Sequence, residues 1–202
     1  MEIRTDHLEP DFFYHIYNRG INGVRIFESE ENYFYFLKRL KVFLSPVCEF
    51  YAYCLMPNHF HFVVRIKSDK EIEAFSKNDN NKQVFSEKGL HSYDSLISKQ
   101  FAKFFSSYSQ AFNKFNKNRT GALLESPFKR IRIENEEYIR KLIIYVHQNP
   151  KNLVEQLEDY SFSSYRSIVS DEVTFLKRKE VLEIFDDREN FCFCHQKEED
   201  LI

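Results

Sequence analysis

Two strand-like runs, residues 50–56 and 59–67, are separated only by Pro57-Asn58, and no other segment restricts the fold as much. So short a connection leaves room for a tight reversal and nothing else, so the two runs are expected to pair as an antiparallel hairpin. The second run also alternates in character. Phe60, Phe62, Val64 and Ile66 fall on one face, and His59, His61, Val63 and Arg65 on the other, because successive side chains of a strand point to opposite sides. The first set reads as a surface covered by helices. The second reads as the open or functional face of an antiparallel sheet.

The flanking sequence supplies the remaining elements. Residues 13–17 read as a strand stopped by Asn18-Arg19-Gly20, and Ser29-Glu30-Glu31 opens a helix through Leu44. Tyr33, Phe36, Leu37, Leu40 and Leu44 give that helix its apolar stripe. Residues 68–94 are polar and rich in Lys, Asn and Glu, so a mobile loop or insertion is expected there. A second helix follows to about Asn116, with Ile97, Phe101, Phe104, Phe105, Tyr108, Phe112 and Phe115 along one side. Residues 128–133 suit a fourth strand. Asn135 is placed to cap a third helix, Glu136 and Glu137 suit the positive end of its dipole, and Pro150 prevents its continuation. Beyond Ser161 the pattern gives one or two short helices and an acidic end. Strand, helix, two strands, helix, strand, helix is the order of an α+β sandwich with helices packed on one face of an antiparallel sheet.

At 202 residues the chain fits one domain, or one domain with an appendage. A formal charge of −2 argues against binding nucleic acid by bulk electrostatics. The charge is uneven, however: residues 171–202 hold ten acids against five bases, and the other 170 residues carry a net +3. Residues 117–141, with seven bases and four acids, mark a local basic surface. Most of the 22 Phe and 12 Tyr must be core, since so many exposed rings would aggregate. No stretch approaches the roughly 18 apolar residues of a membrane span, and residues 1–6 lack a signal-peptide pattern. A cytoplasmic protein with four reduced cysteines is expected. Cys192-Phe193-Cys194-His195 has the wrong spacing for a zinc knuckle and reads as a tail with free thiols.

The chemistry-bearing residues are His59, His61 and Tyr145. Two neutral imidazoles on one strand face make most of a divalent-metal site, and the phenol of Tyr145 could serve as a covalent nucleophile. A metal and a tyrosine together suit cutting and rejoining a DNA strand. Tyr138, Leu142, Tyr145 and Asn149 form one helical stripe, so Asn149 can face the same way as Tyr145 and offer a third ligand; ending the helix before Pro150 is its other reading. His147 and Gln148 are placed to support the site, His147 from a different face of the helix. Lys129, Arg130 and Arg132 are positioned to track phosphates, or else are ordinary charges at a strand edge, and Arg19 either meets DNA or serves its turn. An isolated His-x-His is more often a solvated strand face, and an isolated helical Tyr more often core. The sequence has no Gly-x-x-x-x-Gly-Lys phosphate loop.

Longer motifs carry a resemblance. Tyr14-His15-Ile16-Tyr17-Asn18-Arg19-Gly20, Met56-Pro57-Asn58-His59-Phe60-His61-Phe62-Val63 and Pro127-Phe128-Lys129-Arg130 occur in order. Tyr145-Val146-His147-Gln148-Asn149-Pro150 and Tyr160-Ser161-Phe162-Ser163-Ser164-Tyr165 follow. Over residues 14–168 the chain resembles the IS200-like single-strand transposases, the single-tyrosine branch of the HUH endonucleases, and most of all the repeat-associated tyrosine transposases. The resemblance implies a ferredoxin-like, RRM-like core within residues 1–170, with residues 171–202 an acidic extension that has no counterpart. It implies a transesterase that nicks and rejoins single-stranded DNA, often at a hairpin, through a 5′-phosphotyrosine on Tyr145. Mg²⁺ or Mn²⁺ would be held by His59, His61 and Asn149. Monomer and homodimer with shared active sites are both compatible with it. A domesticated DNA-hairpin binding module that does not cut, and a phosphodiesterase that uses water, are the alternatives.

Overall fold

The hairpin forms at one side of a four-stranded antiparallel sheet in this computed structural model, which describes residues 5–78, 92–116 and 119–196. Strands β1 (Phe13–Arg19), β2 (Cys48–Met56), β3 (His59–Ile66) and β4 (Lys129–Ile133) lie in the spatial order β2-β3-β1-β4. Helix α1 (Glu30–Leu44) joins β1 to β2, and α2 (Asp69–Asn78) and α3 (Tyr93–Phe115) fall between β3 and β4. This is a ferredoxin-like α+β topology. Helix α4 (Glu136–Gln148) follows the sheet, and α5 (Tyr165–Val169), α6 (Arg178–Ile184) and α7 (Arg188–Gln196) end the described chain. Among the described residues no helix is long and apolar enough to cross a membrane.

The alternation in β3 divides the molecule. Phe60, Phe62, Val64 and Ile66 are fully buried beneath α1 and α3. There Phe36 of α1 lies 5.3 Å from Phe60 and 4.8 Å from Phe104 of α3. Each such ring contributes about 1.5–3 kcal/mol through removal from water. The stripe expected on α3 holds from Ile97 to Phe112, but Phe115, in the last helical position, is exposed. Helices on one face describes α1 and α3. Helix α4 lies against β2 and β3 from the opposite side, so part of the histidine face is covered too.

Two segments differ from the sequence expectation. The polar stretch expected as a loop from residue 68 begins instead as α2: Ser68 bonds the Glu71 carboxylate from its hydroxyl at 2.7 Å, and Ile72 and Ser76 turn inward with Phe75 packed beside them. Only a single turn, Ile72 to Ser76, faces inward, so the charge density hid the helical period. Residues 79–91 of that expected loop lie outside the described residues. The acidic C-terminal stretch, through residue 196, folds onto the domain. Val181, Phe185 and Phe191 are fully buried, and its acids are matched locally by Asp171–Arg188, Asp186–Arg140 and Glu180–Lys177 pairs. Cys192, Cys194 and His195 sit on α7, the thiols free and the imidazole buried.

Polar links fix α4 from behind. The segment before α5 adds to the outer edge of β2, where Leu55 N–H donates to Phe162 O and Ser164 N–H to Tyr53 O, both at 2.9 Å. Such coverage removes an open sheet edge. A buried chain then runs from β2 to α7. Tyr53 N–H donates to Ser164 Oγ at 2.8 Å. Ser164 Oγ meets His147 Nε2 at 2.6 Å, His147 Nδ1 meets His195 Nε2 at 2.9 Å, and His195 Nδ1 meets Phe191 O at 2.7 Å. The carbonyl can only accept, so His195 Nδ1 carries a proton and its Nε2 accepts. His147 therefore donates through Nδ1 and accepts the Ser164 hydroxyl through Nε2. Every link is satisfied with both rings neutral.

Burial holds both imidazoles below their ordinary range, with the neighbouring charge of His195 adding to the effect on His147. His195 falls to about 4, its bond to the Phe191 carbonyl opposing the burial. Its folded value lies below the unfolded one, so the unfolded chain takes up protons first, and stability present above pH ~6.5 is lost as pH falls through about 4. The His195 share of that loss is about 3 kcal/mol. Urea midpoints between pH 7.5 and 4 should fall steeply for the native chain and less steeply for His195→Gln, which cannot titrate. Equal slopes would exclude His195 as the source.

Candidate functional site

The site begins with register. In β1, His15, Tyr17 and Arg19 alternate onto one face, opposite Val63, His61 and His59 of β3 respectively. Cross-strand partners share a face, so the two histidines of the hairpin stand beside His15, Tyr17 and Arg19. The His61 ring stacks near that of His15, at 5.1 Å and 22°, and near that of Tyr17, at 5.5 Å and 21°. His59 lies 5.2 Å from His61 at a right angle.

Helix α4 brings Tyr145 to this cluster. Asn135 caps the helix by accepting Tyr138 N–H at 2.8 Å, as the sequence predicts. Two turns on, the Tyr145 ring stands edge-on to His61 at 5.6 Å and to His15 at 6.2 Å. Asn149 serves both roles open to it. It ends the helix, its Nδ2 donating to Tyr145 O at 2.8 Å, before Pro150 opens a short 3₁₀ turn. Its side-chain amide also stands close enough to the His59 ring and the Tyr145 phenol to influence the protonation of both. The four residues singled out for chemistry, His59, His61, Tyr145 and Asn149, therefore meet at one place.

The protonation states suit a metal. Asn58 Oδ1 lies 2.7 Å from His59 Nδ1. An amide oxygen only accepts, so His59 is protonated at Nδ1 and presents an Nε2 lone pair. His61 Nδ1 faces His15 Nε2 at 2.9 Å. Donation from His61 in that pair gives it the same tautomer, oriented from behind as metal-bound histidines usually are. Both rings stay neutral near pH 7. Burial lowers His59 against the effect of the Asn149 amide, and the Arg19 charge adds to the lowering. Burial lowers His61 further, and the charges of His15 and His59 add to it. Tyr145 is pushed upward by burial and by Tyr17, against the effect of the Asn149 amide, so its phenol holds its proton at neutral pH. Among the described residues no three His, Cys, Asp or Glu side chains gather as a metal site. Two neutral imidazoles and one amide could hold Mg²⁺ or Mn²⁺ only as a weak set, since they bring no negative charge.

The basic residues divide. Lys129 pairs with Tyr17 across β1 and β4 and shares the face of the site. It forms no ion pair with any described residue. Arg19 lies at the rim beside His59, with its Nε 2.6 Å from Glu125. Arg130 and Arg132 alternate to the other side. Arg130 holds Asp94 at 3.7 Å and the Asp6 carbonyl, while Arg132 pairs with Glu9 and stacks 3.5 Å over Phe12. They tie the N-terminal segment to the sheet. His147 and Gln148 face the C-terminal helices. His15, Tyr17 and Asn58 escaped the sequence reading as site residues. The alternation of His15 and Tyr17 was visible, but the register that sets them against His61 is not written locally.

Comparison with known proteins follows the same lines. No protein-family model matches the chain, and no curated protein sequence does. Among solved structures the chain is similar to a REP-associated tyrosine transposase bound to a REP hairpin. The TM-score is 0.58 at 13% identity, with 85% of this chain and 87% of that one covered. At that identity the likeness is one of fold. A bacterial tRNA(His) guanylyltransferase-like protein in complex with ATP also matches, with TM-score 0.40 and 11% identity over 93% of this chain and 74% of that one.

The turn that presents His59 depends on Gly20. Gly20 N–H donates to Asn58 O at 2.9 Å, and Ile26 and Phe27 donate to Pro57 O at 2.8 and 3.1 Å. A Cβ on Gly20 would stand 2.1 Å from Val24 O, a backbone atom that cannot move aside cheaply. Gly20→Ala should cost about 2 kcal/mol or more in urea unfolding and loosen the turn. Unchanged exchange of the Ile26 and Phe27 amides in this variant would refute the clamp.

Proposed function

We propose that this protein is a metal-dependent transesterase of the single-tyrosine HUH kind, nicking and rejoining single-stranded DNA in the cytoplasm. The observation that carries the reading is the meeting of Tyr145, from a late helix, with His59 and His61, from the hairpin, edge-on at 5.6 Å from the His61 ring, with the Asn149 amide beside them. The likeness of fold to a tyrosine transposase supports it.

In this reading His59, His61 and Asn149 would hold Mg²⁺ or Mn²⁺, which when bound would withdraw charge from the scissile phosphate. Tyr145 Oη attacks phosphorus and gives up its proton to solvent. The bond from phosphorus to the 3′ oxygen breaks, that oxygen takes a proton, and a 5′-phosphotyrosine and a free 3′-OH remain. The Asn149 amide, near the phenol, favours the phenolate and so opposes the effect of burial. One phosphodiester replaces another, so a 3′-OH can reverse the step without a nucleotide cofactor. Lys129 and Arg19 stand where the DNA backbone would approach. Tyr17, stacked beside His61, offers a ring face to an unpaired base.

Single-stranded oligonucleotides copied from DNA flanking the gene, some able to form hairpins, would be incubated with the protein and Mn²⁺ and examined on denaturing gels and by mass spectrometry. An adduct on Tyr145 is expected. Tyr145→Phe should bind DNA as the native chain does and form no adduct, and His61→Ala should lose metal-dependent cleavage. Cleavage that survives Tyr145→Phe would sink the mechanism and favour a phosphodiesterase that uses water. Tight hairpin binding without any adduct would favour a module that does not cut. Lys129→Ala should weaken oligonucleotide binding several-fold and lower its salt dependence. Arg132→Ala should lower the melting temperature and leave binding unchanged.

A further inference from the structure

Hydrogen bonds from Arg140, His147 and Gln148 join α4 to the C-terminal helices, and none of them touches the group proposed to react. Arg140 Nε donates to Ile184 O at 3.0 Å, His147 Nδ1 meets His195 Nε2 at 2.9 Å, and Gln148 Nε2 donates to His195 O at 3.0 Å. Successive helical residues turn by about 100°. Arg140 and His147 therefore leave α4 on the side away from Tyr145, so the C-terminal segment grips the back of the helix whose front carries the phenol.

What matters at the front is rotation. An atom roughly 6 Å from a helix axis moves about 1 Å when the helix turns by about 10°. Misplacement of that order in a reacting group can cost about 100-fold in rate. Apolar contacts tolerate such a turn, because burial is non-directional. Hydrogen bonds do not, since they weaken steeply as the donor angle closes. At the back of α4 the contact is directional. His147 is fully buried and His195 is 4% exposed, and each of their four ring nitrogens has one partner of the right sense. Two apolar side chains of similar size would pack there at no desolvation cost, so the polar pair adds geometry rather than adhesion.

We propose that His147 and His195 are positioning residues for Tyr145, with α7 setting the rotation of α4 through their buried pair. The proposal rests on the function given above. It assigns the C-terminal stretch a part in the reaction: α7 is the backstop against which the nucleophile is aimed.

The test uses the full chain. His195→Phe keeps a ring of similar volume and removes the acceptor for His147, and His195→Gln restores an acceptor. Two quantities are read. One is the single-turnover rate of adduct formation at saturating oligonucleotide and Mn²⁺, with the oligonucleotide Kd measured separately. The other, taken on protein alone, is the NMR resonance of a ¹³C-labelled Tyr145 ring, which the currents of the adjacent His61 and His15 rings displace. His195→Phe should slow adduct formation about 10- to 100-fold, leave Kd within about twofold, and move the Tyr145 resonance. His195→Gln should recover most of both. A folded His195→Phe with unchanged rate and resonance overturns the proposal, and so does a slowed rate with an unmoved resonance. Should His195→Phe fail to fold, Gln148→Ala removes a weaker link to α7, and the same two readouts decide at smaller amplitude. Absence of any adduct from the native chain counts against the reaction itself, and the resonance then decides the positioning alone.

Discussion

The neutral hydrogen-bond chain from Tyr53 through Ser164, His147 and His195 to Phe191 is the constraint on which the candidate site hangs. It has one sense of donation, imposed at its carbonyl end, and it ties three separate pieces of the chain to the back of α4. Apolar contact fixes the distance of a helix from a sheet better than its rotation. The phenol of Tyr145 is carried on the opposite side of that helix, so its placement against His61 follows from a bond network it never touches.

The sheet does the complementary work. Its helix-covered face is an aromatic core in which Phe36, Phe60, Phe62, Phe104 and Tyr108 pack at mutual distances typical of edge and tilted ring contacts. That core keeps β3 rigid and so holds the histidines of its other face in place. The histidine face is then finished by neighbours: Asn58 and His15 orient the two rings, and the Gly20 loop clamps the turn from which His59 departs.

Several elements were legible because their signals are local. The Pro57-Asn58 reversal, the two-residue alternation of β3, the stripe of α1 and the Asn135 cap each need only a few neighbouring residues, and each is realised. Helix α2 was missed because a single inward turn, Ile72 to Ser76, is too short to outweigh its charges. Net charge says nothing of pairing, and acids of the C-terminal stretch find partners at Arg140, Lys177 and Arg188. Arg130 and Arg132 looked like neighbours of Lys129, yet alternation sends both away from it, toward Asp6, Asp94, Glu9 and Phe12.

By itself the sequence determined which residues could do chemistry and which face of each element they occupy, since periodicity and side-chain type are properties of the chain near each residue. His59 and His61 had to project together, and Tyr145 had to share a stripe with Asn149. Only the tertiary structure decided that the two pairs meet, that His15, Tyr17 and Asn58 join them, and that α7 braces the helix between. Those facts depend on register and on helix rotation, which are settled by hydrogen bonds and packing between segments far apart in sequence, and no local pattern encodes them.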